Sequence, residues 1–347
     1  MVALARRLLA DPSQKKVFHC WARCVRRLFL CGRDPLTGKD YSHRRRWIVT
    51  REEQLAALFA IEIEFRSELS NHLHLILRTR PDVARRWSRL EVARRWLTIT
   101  RLAKCMTDDC PVPDRQRIKD LVKDKKRIAR LRRRLSNISW FMGTLCENIA
   151  RRANDEDDCS GRFWGSRFGC RVCTDEGAIL LCGIYVDLNP IKAGEAKSPE
   201  TARFTSIYQR LQAKDQRANA KDRADGWLGN LTWDPKHDRG GKANYSSRTG
   251  RRASDQGLLS ISLENYVKLL KWTLKLLQRG PDQKIPADLE AMLDHMDVNP
   301  EGWYRTVDEY EQSFGHAVGS PSSLERMAEE MGANHMKGMT AARLAFK

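Results

Sequence analysis

The chain has 347 residues, 31% of them charged and 41% hydrophobic, with a mean hydropathy of −0.59. That is enough apolar material for a core in one extended or two smaller domains, and it excludes an integral membrane protein, since no apolar run approaches the ~20 residues that cross a bilayer. The 63 Lys and Arg against 44 Asp and Glu leave a net charge of +19, the balance of a protein with a polyanionic partner, most often nucleic acid.

In chain order, Met1 to Arg7 lack the apolar stretch of a secretion signal, so a cytosolic setting is expected and the ten cysteines are expected as reduced thiols. Val17 to Leu30 reads as a strand region, Arg33 to Gly38 as turn chemistry, and Arg51 to Ala60 as a helix. Two strands follow, Ile61–Phe65 and Asn71–Leu77. Alternation in the second puts His72 and His74 on one face and Leu73, Leu75 and Leu77 on the other. Two imidazoles on a stiff support are a grip for a divalent metal; the bland alternative is a pair of polar residues on a solvated sheet face.

Arg80-Pro81-Asp82 breaks the sheet, and Val83 to Ala103 has helical spacing with a basic outer face. After a linker at 108–113, Asp114 to Arg152 is expected as helix, basic first and apolar later. Gly161 to Phe168 interleaves aromatic and basic residues like a strand. Cys170 and Cys173 have CxxC spacing, but a strand turns them to opposite faces and no second pair matches, so buried thiols are expected rather than zinc ligands. A helix is expected from Asp175 to Leu188, where acidic residues suit the dipole, and another from Ser198 to Gln212. Lys214 to Gly257 reads as a flexible basic linker. Helices at Leu263–Leu277, Pro286–Met296, Trp303–Phe314 and Ser322–Met331 form a small helical C-terminal module.

Ser70-Asn71-His72-Leu73-His74, Phe163-Trp164-Gly165-Ser166-Arg167-Phe168, the segment Tyr185-Val186-Asp187-Leu188-Asn189-Pro190-Ile191-Lys192-Ala193-Gly194 and Phe204-Thr205-Ser206-Ile207-Tyr208 occur in this order. The ordered set resembles the single-tyrosine HUH transposases, the insertion-sequence-200-like and REP-associated tyrosine transposases, over roughly residues 15–212. The resemblance implies an α+β, ferredoxin-like HUH domain at 1–212 with a central antiparallel sheet. The chain departs from the family pattern in a basic helical insertion at about 104–158 and, beyond the linker at 213–257, in a C-terminal helical extension at 258–347. The resemblance implies cleavage and rejoining of single-stranded DNA, with or without hairpin-forming ends, by a monomer or homodimer that is nucleoid-associated when bound. Tyr185 would be the nucleophile and a 5′-phosphotyrosine the intermediate, with Mg²⁺ or Mn²⁺ on His72, His74 and Asn189. Asn189 lies four residues after Tyr185, on the same face if one helix carries both; as the residue before Pro190 it is also biased out of helix and toward capping a turn.

The basic residues expected at DNA are Arg44, Arg45 and Arg46, then Lys125, Lys126, Arg127, Arg130, Arg132, Arg133 and Arg134, with Trp164 and Arg167 beside an unpaired strand. Two alternatives stand beside the transposase: a nucleic-acid-binding protein on the same scaffold without catalysis, and a metal-dependent hydrolytic nuclease in which water attacks.

Overall fold

The computed structural model describes residue 11 and residues 13–215, 219, 222–234, 247 and 249–347. A five-stranded mixed sheet organises them, in the order β2-β3-β1-β4-β5. The strands are β1 (Val17–Arg23), β2 (Ile61–Glu68), β3 (His72–Thr79), β4 (Gly169–Cys173) and β5 (Ala317–Val318). The first four pair antiparallel, and β5 joins β4 in parallel. The fold is α+β, but the sheet is mixed because the C-terminal region, expected to be wholly helical, adds a strand to it.

Register decides what the site receives. Trp21 lies opposite His74, and Arg23 opposite His72. Directly opposed residues point to the same face, so His19, Trp21 and Arg23 of β1 join His72 and His74 on one side. Phe18, Cys20 and Ala22 alternate with them and are buried with Leu73, Leu75 and Leu77 on the other. That leucine face carries α1 (His43–Leu58), whose buried Glu52 accepts a hydrogen bond from Arg66 of β2.

Between β3 and β4 lie α2 (Pro81–Arg86), α3 (Arg89–Leu102), α4 (Arg115–Lys123), α5 (Lys125–Arg134) and α6 (Ile138–Glu156). The two long helices expected here are cut into five by local caps. Ser88, Asp114, Asp124 and Asn137 each accept a backbone N–H of the following turn, which starts a new helix wherever the axis must change. The segment 161–168 is not a strand; it joins the sheet only at the Cys24–Trp164 bridge.

The second layer starts with α7 (Glu176–Lys192), capped by Asp175 and buried from Gly177 to Pro190. It runs unbroken through Asn189-Pro190. Pro190 lies in the last turn, where a single lost backbone hydrogen bond is outweighed by burial of the whole helix. Gly183 lets α7 settle onto Phe65 of β2: a Cβ there would meet the ring at 2.8 Å. Buried Asp187 of α7 then accepts the Ser206 hydroxyl, the Ile207 N–H and the Tyr266 hydroxyl, fastening α8 (Ser206–Asp215) and α9 (Leu263–Arg279) to it.

The described part of 213–257 is packed rather than a free linker. Trp227 and Leu228 are buried, and Arg78 of β3 donates to the carbonyls of Gln256 and Gly257. Residues 235–246 of that expected linker lie outside the described residues. The chain ends in α10 (Ala287–His295), α11 (Pro300–Asp308), α12 (Tyr310–Ser313), α13 (Pro321–Glu330) and α14 (Met339–Ala345).

Candidate active site

β1, β3, α7 and α11–α12 meet at a cleft of about 370 Å³ whose lining includes Arg23, Arg27, His72, Tyr185, Asn189 and Glu311. β3 supplies the histidines from an interior position in the sheet, which fixes both Cα atoms through ladders on either side. The rings of His72 and His74 are 5.0 Å apart, and that of Tyr185 is 5.6 Å from His74. Asn189, one turn beyond Tyr185 on α7, lines the same cleft as His72 and Tyr185. The residue before proline is therefore helical, and the shared face is the arrangement present.

Each imidazole has a defined neighbour. His74 Nδ1 lies 2.9 Å from His19 Nε2, and His19 Nδ1 lies 2.9 Å from the Tyr310 hydroxyl. His72 Nδ1 is 2.5 Å from the Asn71 side-chain oxygen. His74 Nε2 is buried, has no hydrogen-bond partner among the described residues, and stands 3.9 Å from Glu311 Oε1. Burial pushes the His74 pKa well down, and the nearby His72, His19 and Arg23 add to it; burial and Arg23 lower that of His72. Both rings are neutral at pH 7, the form that can donate a lone pair to a cation. Among the described residues, no group of three or more His, Cys, Asp or Glu stands in metal-holding geometry. The donor set is two imidazoles and the Asn189 amide, with one imidazole nitrogen buried and unsatisfied.

Tyr185 donates its hydroxyl to Glu311 Oε1 at 2.8 Å. Its ring stacks on Tyr310, with centroids 4.3 Å apart. Burial pushes the phenol far above its ordinary pKa, and the Glu311 charge adds to the effect. Burial works to raise Glu311 as well, but hydrogen bonds from Arg23 and Tyr185 outweigh it and hold this carboxyl below its ordinary value. The free protein therefore carries a protonated tyrosine against an ionised glutamate.

Several residues expected at DNA are placed otherwise. Arg44 is fully buried and paired with Glu156 and Asp157, so it offers nothing to a ligand. Arg45 pairs with Glu195, while Arg46 is exposed. Arg132 is half-buried and donates to the carbonyls of Ala84 and Trp87, and Arg134 lies over the Trp140 ring. Lys125, Lys126, Arg127, Arg130 and Arg133 are exposed on α5 and its start. Trp164 is buried and donates its indole N–H to the Cys146 carbonyl; Phe163 and Phe168 are buried too, and of that segment's proposed contacts Arg167 alone is exposed. The helices α4 and α5 pack on α3, and α3 on α1, which places the basic block in the layer on the leucine face rather than at the cleft.

Sequence reasoning missed His19, Arg23 and Glu311. For the first two a signal existed: His19, Trp21 and Arg23 alternate with Phe18, Cys20 and Ala22 as one face of a strand. For Glu311, more than a hundred residues beyond Tyr185, no local signal exists. In comparisons with known proteins, no family model matches the chain, and neither a curated protein nor a solved structure matches it.

Proposed function

We propose that the protein cleaves and rejoins single-stranded DNA through Tyr185, as a metal-dependent transposase of the single-tyrosine HUH kind that its motifs resemble. One observation carries this: His72, His74, Tyr185 and Asn189, spread over more than a hundred residues of sequence, line or adjoin one cleft. Further support comes from the strand order β2-β3-β1-β4, all antiparallel with α1 between β1 and β2. It is the order of a ferredoxin-like sheet, with the histidine strand inside and the tyrosine helix across it.

In this mechanism the Tyr185 oxygen attacks a backbone phosphorus. A P–O bond to tyrosine forms and the P–O3′ bond breaks; the proton lost by the phenol balances the one that the departing O3′ takes up, leaving a 5′-phosphotyrosine and a free 3′-OH. The energy of the broken bond stays in the new ester, so the reverse attack by a 3′-OH rejoins a strand without a nucleotide cofactor. His72, His74 and Asn189 would hold the divalent cation, Mg²⁺ or Mn²⁺. Such a cation supplies polarisation of a non-bridging phosphate oxygen and offsets the charge that grows on phosphorus. His19 keeps the His74 ring turned with Nε2 toward the cleft, as an outer partner does for a liganding imidazole.

The binding-only alternative draws on a specific observation too: the phenol is held protonated by burial and by Glu311. A covalent-adduct assay separates the possibilities. Labelled single-stranded DNA from the flanks of the coding sequence is incubated with protein and Mn²⁺ or Mg²⁺, then run under denaturing conditions. A protease-sensitive shifted band, lost in Tyr185→Phe while DNA affinity stays within about twofold, is expected. Cleavage without linkage would make water the nucleophile, and binding without cleavage would leave the protein a nucleic-acid binder.

A further inference from the structure

The cleft of this +19 chain is lined on one side by acids. The run Asp308-Glu309-Tyr310-Glu311 spans the end of α11 and the start of α12. Glu311 grips Arg23 with both carboxylate oxygens, at 2.5 and 2.6 Å, and accepts the Tyr185 hydroxyl at 2.8 Å. Asp308 takes Lys192, at the end of α7, at 2.9 Å through its carboxylate and 3.0 Å through its carbonyl. Glu309 lines the cleft and pairs with Arg305. Of the three cations at the cleft, Arg23 and Lys192 are thus neutralised from one short segment, while Arg27 has no acidic partner among the described residues.

The segment is anchored from beneath. Tyr310 is fully buried, stacks on Tyr185, and hydrogen-bonds His19 and Cys182. The carboxylates on either side remain exposed: the Glu311 and Asp308 side chains keep 40% and 47% of their surface. They are free to turn toward solvent while Tyr310 stays in place. Each carboxylate occupies what an anionic phosphate would seek, a guanidinium or an ammonium at the cleft.

We infer that Arg23 and Lys192 are the phosphate-binding cations of the cleft, and that Glu311 and Asp308 stand in for the phosphates of single-stranded DNA until the strand displaces them. The inference rests on the strand-transfer function proposed above. It adds the contacts that seat the backbone at Tyr185, which the basic block on α4–α5 is not placed to make. It also explains the hydrogen bond that Tyr185 donates: with Glu311 on Arg23, the nucleophile's hydroxyl is occupied, and a phosphate that takes Arg23 frees both groups at once.

The test is equilibrium binding of a labelled single-stranded oligonucleotide to the full chain across a salt series, without divalent metal so that no cleavage intervenes. In Asp308→Ala/Glu311→Ala, with Tyr310 intact, the dissociation constant is expected to fall roughly tenfold, and the slope of log K against log salt to steepen by about 1.4, two contacts at about 0.7 each. Asp308→Asn/Glu311→Gln should move the same way and guards against a packing loss in the alanine variant. Adding Arg23→Ala and Lys192→Ala to the acid-free variant should erase the gain. Unchanged or weaker binding in both acid-free variants, or a gain that survives loss of the two cations, would overturn the inference. A Tyr185 adduct with unchanged affinities leaves the transposase proposal standing and removes this one; tighter binding with no adduct does the reverse.

Discussion

At the scale of single residues, the partners that the fold fixes beside the buried carboxyls Glu62 and Glu64 of β2 decide which of the two is held ionised. Glu62 shows the favourable case. Burial raises its carboxyl, but Arg78 and Arg80 outweigh this and hold it below the ordinary value. Glu64, two residues on and at a β-bulge, is the unfavourable case. Arg78 Nε lies 2.7 Å from it, yet its hydrogen is directed to Glu62, and neither Glu64 oxygen has a hydrogen bond. Burial therefore dominates and lifts Glu64 from 4.5 to about 7. A raised carboxyl means the native state binds its proton more tightly than the unfolded chain. Its contribution is therefore most favourable below pH 4.5 and is lost as pH climbs through about 7, by roughly 3 kcal/mol for a shift of this size. In Glu64→Gln, the decline of melting temperature between pH 5 and pH 8 should shrink. An unchanged decline would mean that Arg78 compensates the charge in full.

At the scale of elements, the basic block divides by function. Arg132 and Arg134 are structural, one satisfying the C-terminal carbonyls of α2 and its following residue, the other covering Trp140. Lys125, Lys126, Arg127, Arg130 and Arg133 face solvent. Arg132→Ala should lower stability by about 1–3 kcal/mol in urea unfolding, since it strips two part-buried carbonyls of a charged donor, and should leave the salt dependence of DNA binding nearly intact. Lys126→Ala/Arg130→Ala should do the opposite, leaving stability unchanged and flattening the salt slope by about 1.4 on a single strand. A flat result for the second pair would mark α5 as a solvated face. The block was legible as charge density, but which arginines were free was not. An i, i+1 run of arginines wraps around the helix, and neighbours decide which one is inside.

At the scale of the whole molecule, the region after 258 belongs to the same body as the sheet. β5 extends the sheet, Tyr266 reaches Asp187 of α7, and Trp303 is fully buried with its indole N–H on Thr273. Trp303→Ala should cost roughly 3–5 kcal/mol. Unfolding followed by fluorescence and by far-UV circular dichroism should still give one coincident transition, shifted to lower denaturant. Two separated transitions would instead mark the C-terminal region as an independent unit.

The sequence by itself determined what depends on neighbours a few residues apart. Alternation put His72 and His74 on one face of a strand and three leucines on the other. The acidic start at Asp175 and the apolar run after it made the helix as far as Leu188, with Tyr185 on it. Composition excluded a membrane span, and none of the described helices is long and apolar enough to be one. Only the tertiary structure decided the rest. Whether helix survives Asn189-Pro190 depends on burial that the sheet supplies. The cut of 114–152 into three helices depends on where caps find an axis worth turning. The arrival of Glu311 beside Tyr185 depends on β5 and Tyr310, contacts across more than a hundred residues that no local pattern encodes. Periodicity reports which way a side chain points, whereas what it meets there is set by parts of the chain that the period does not reach.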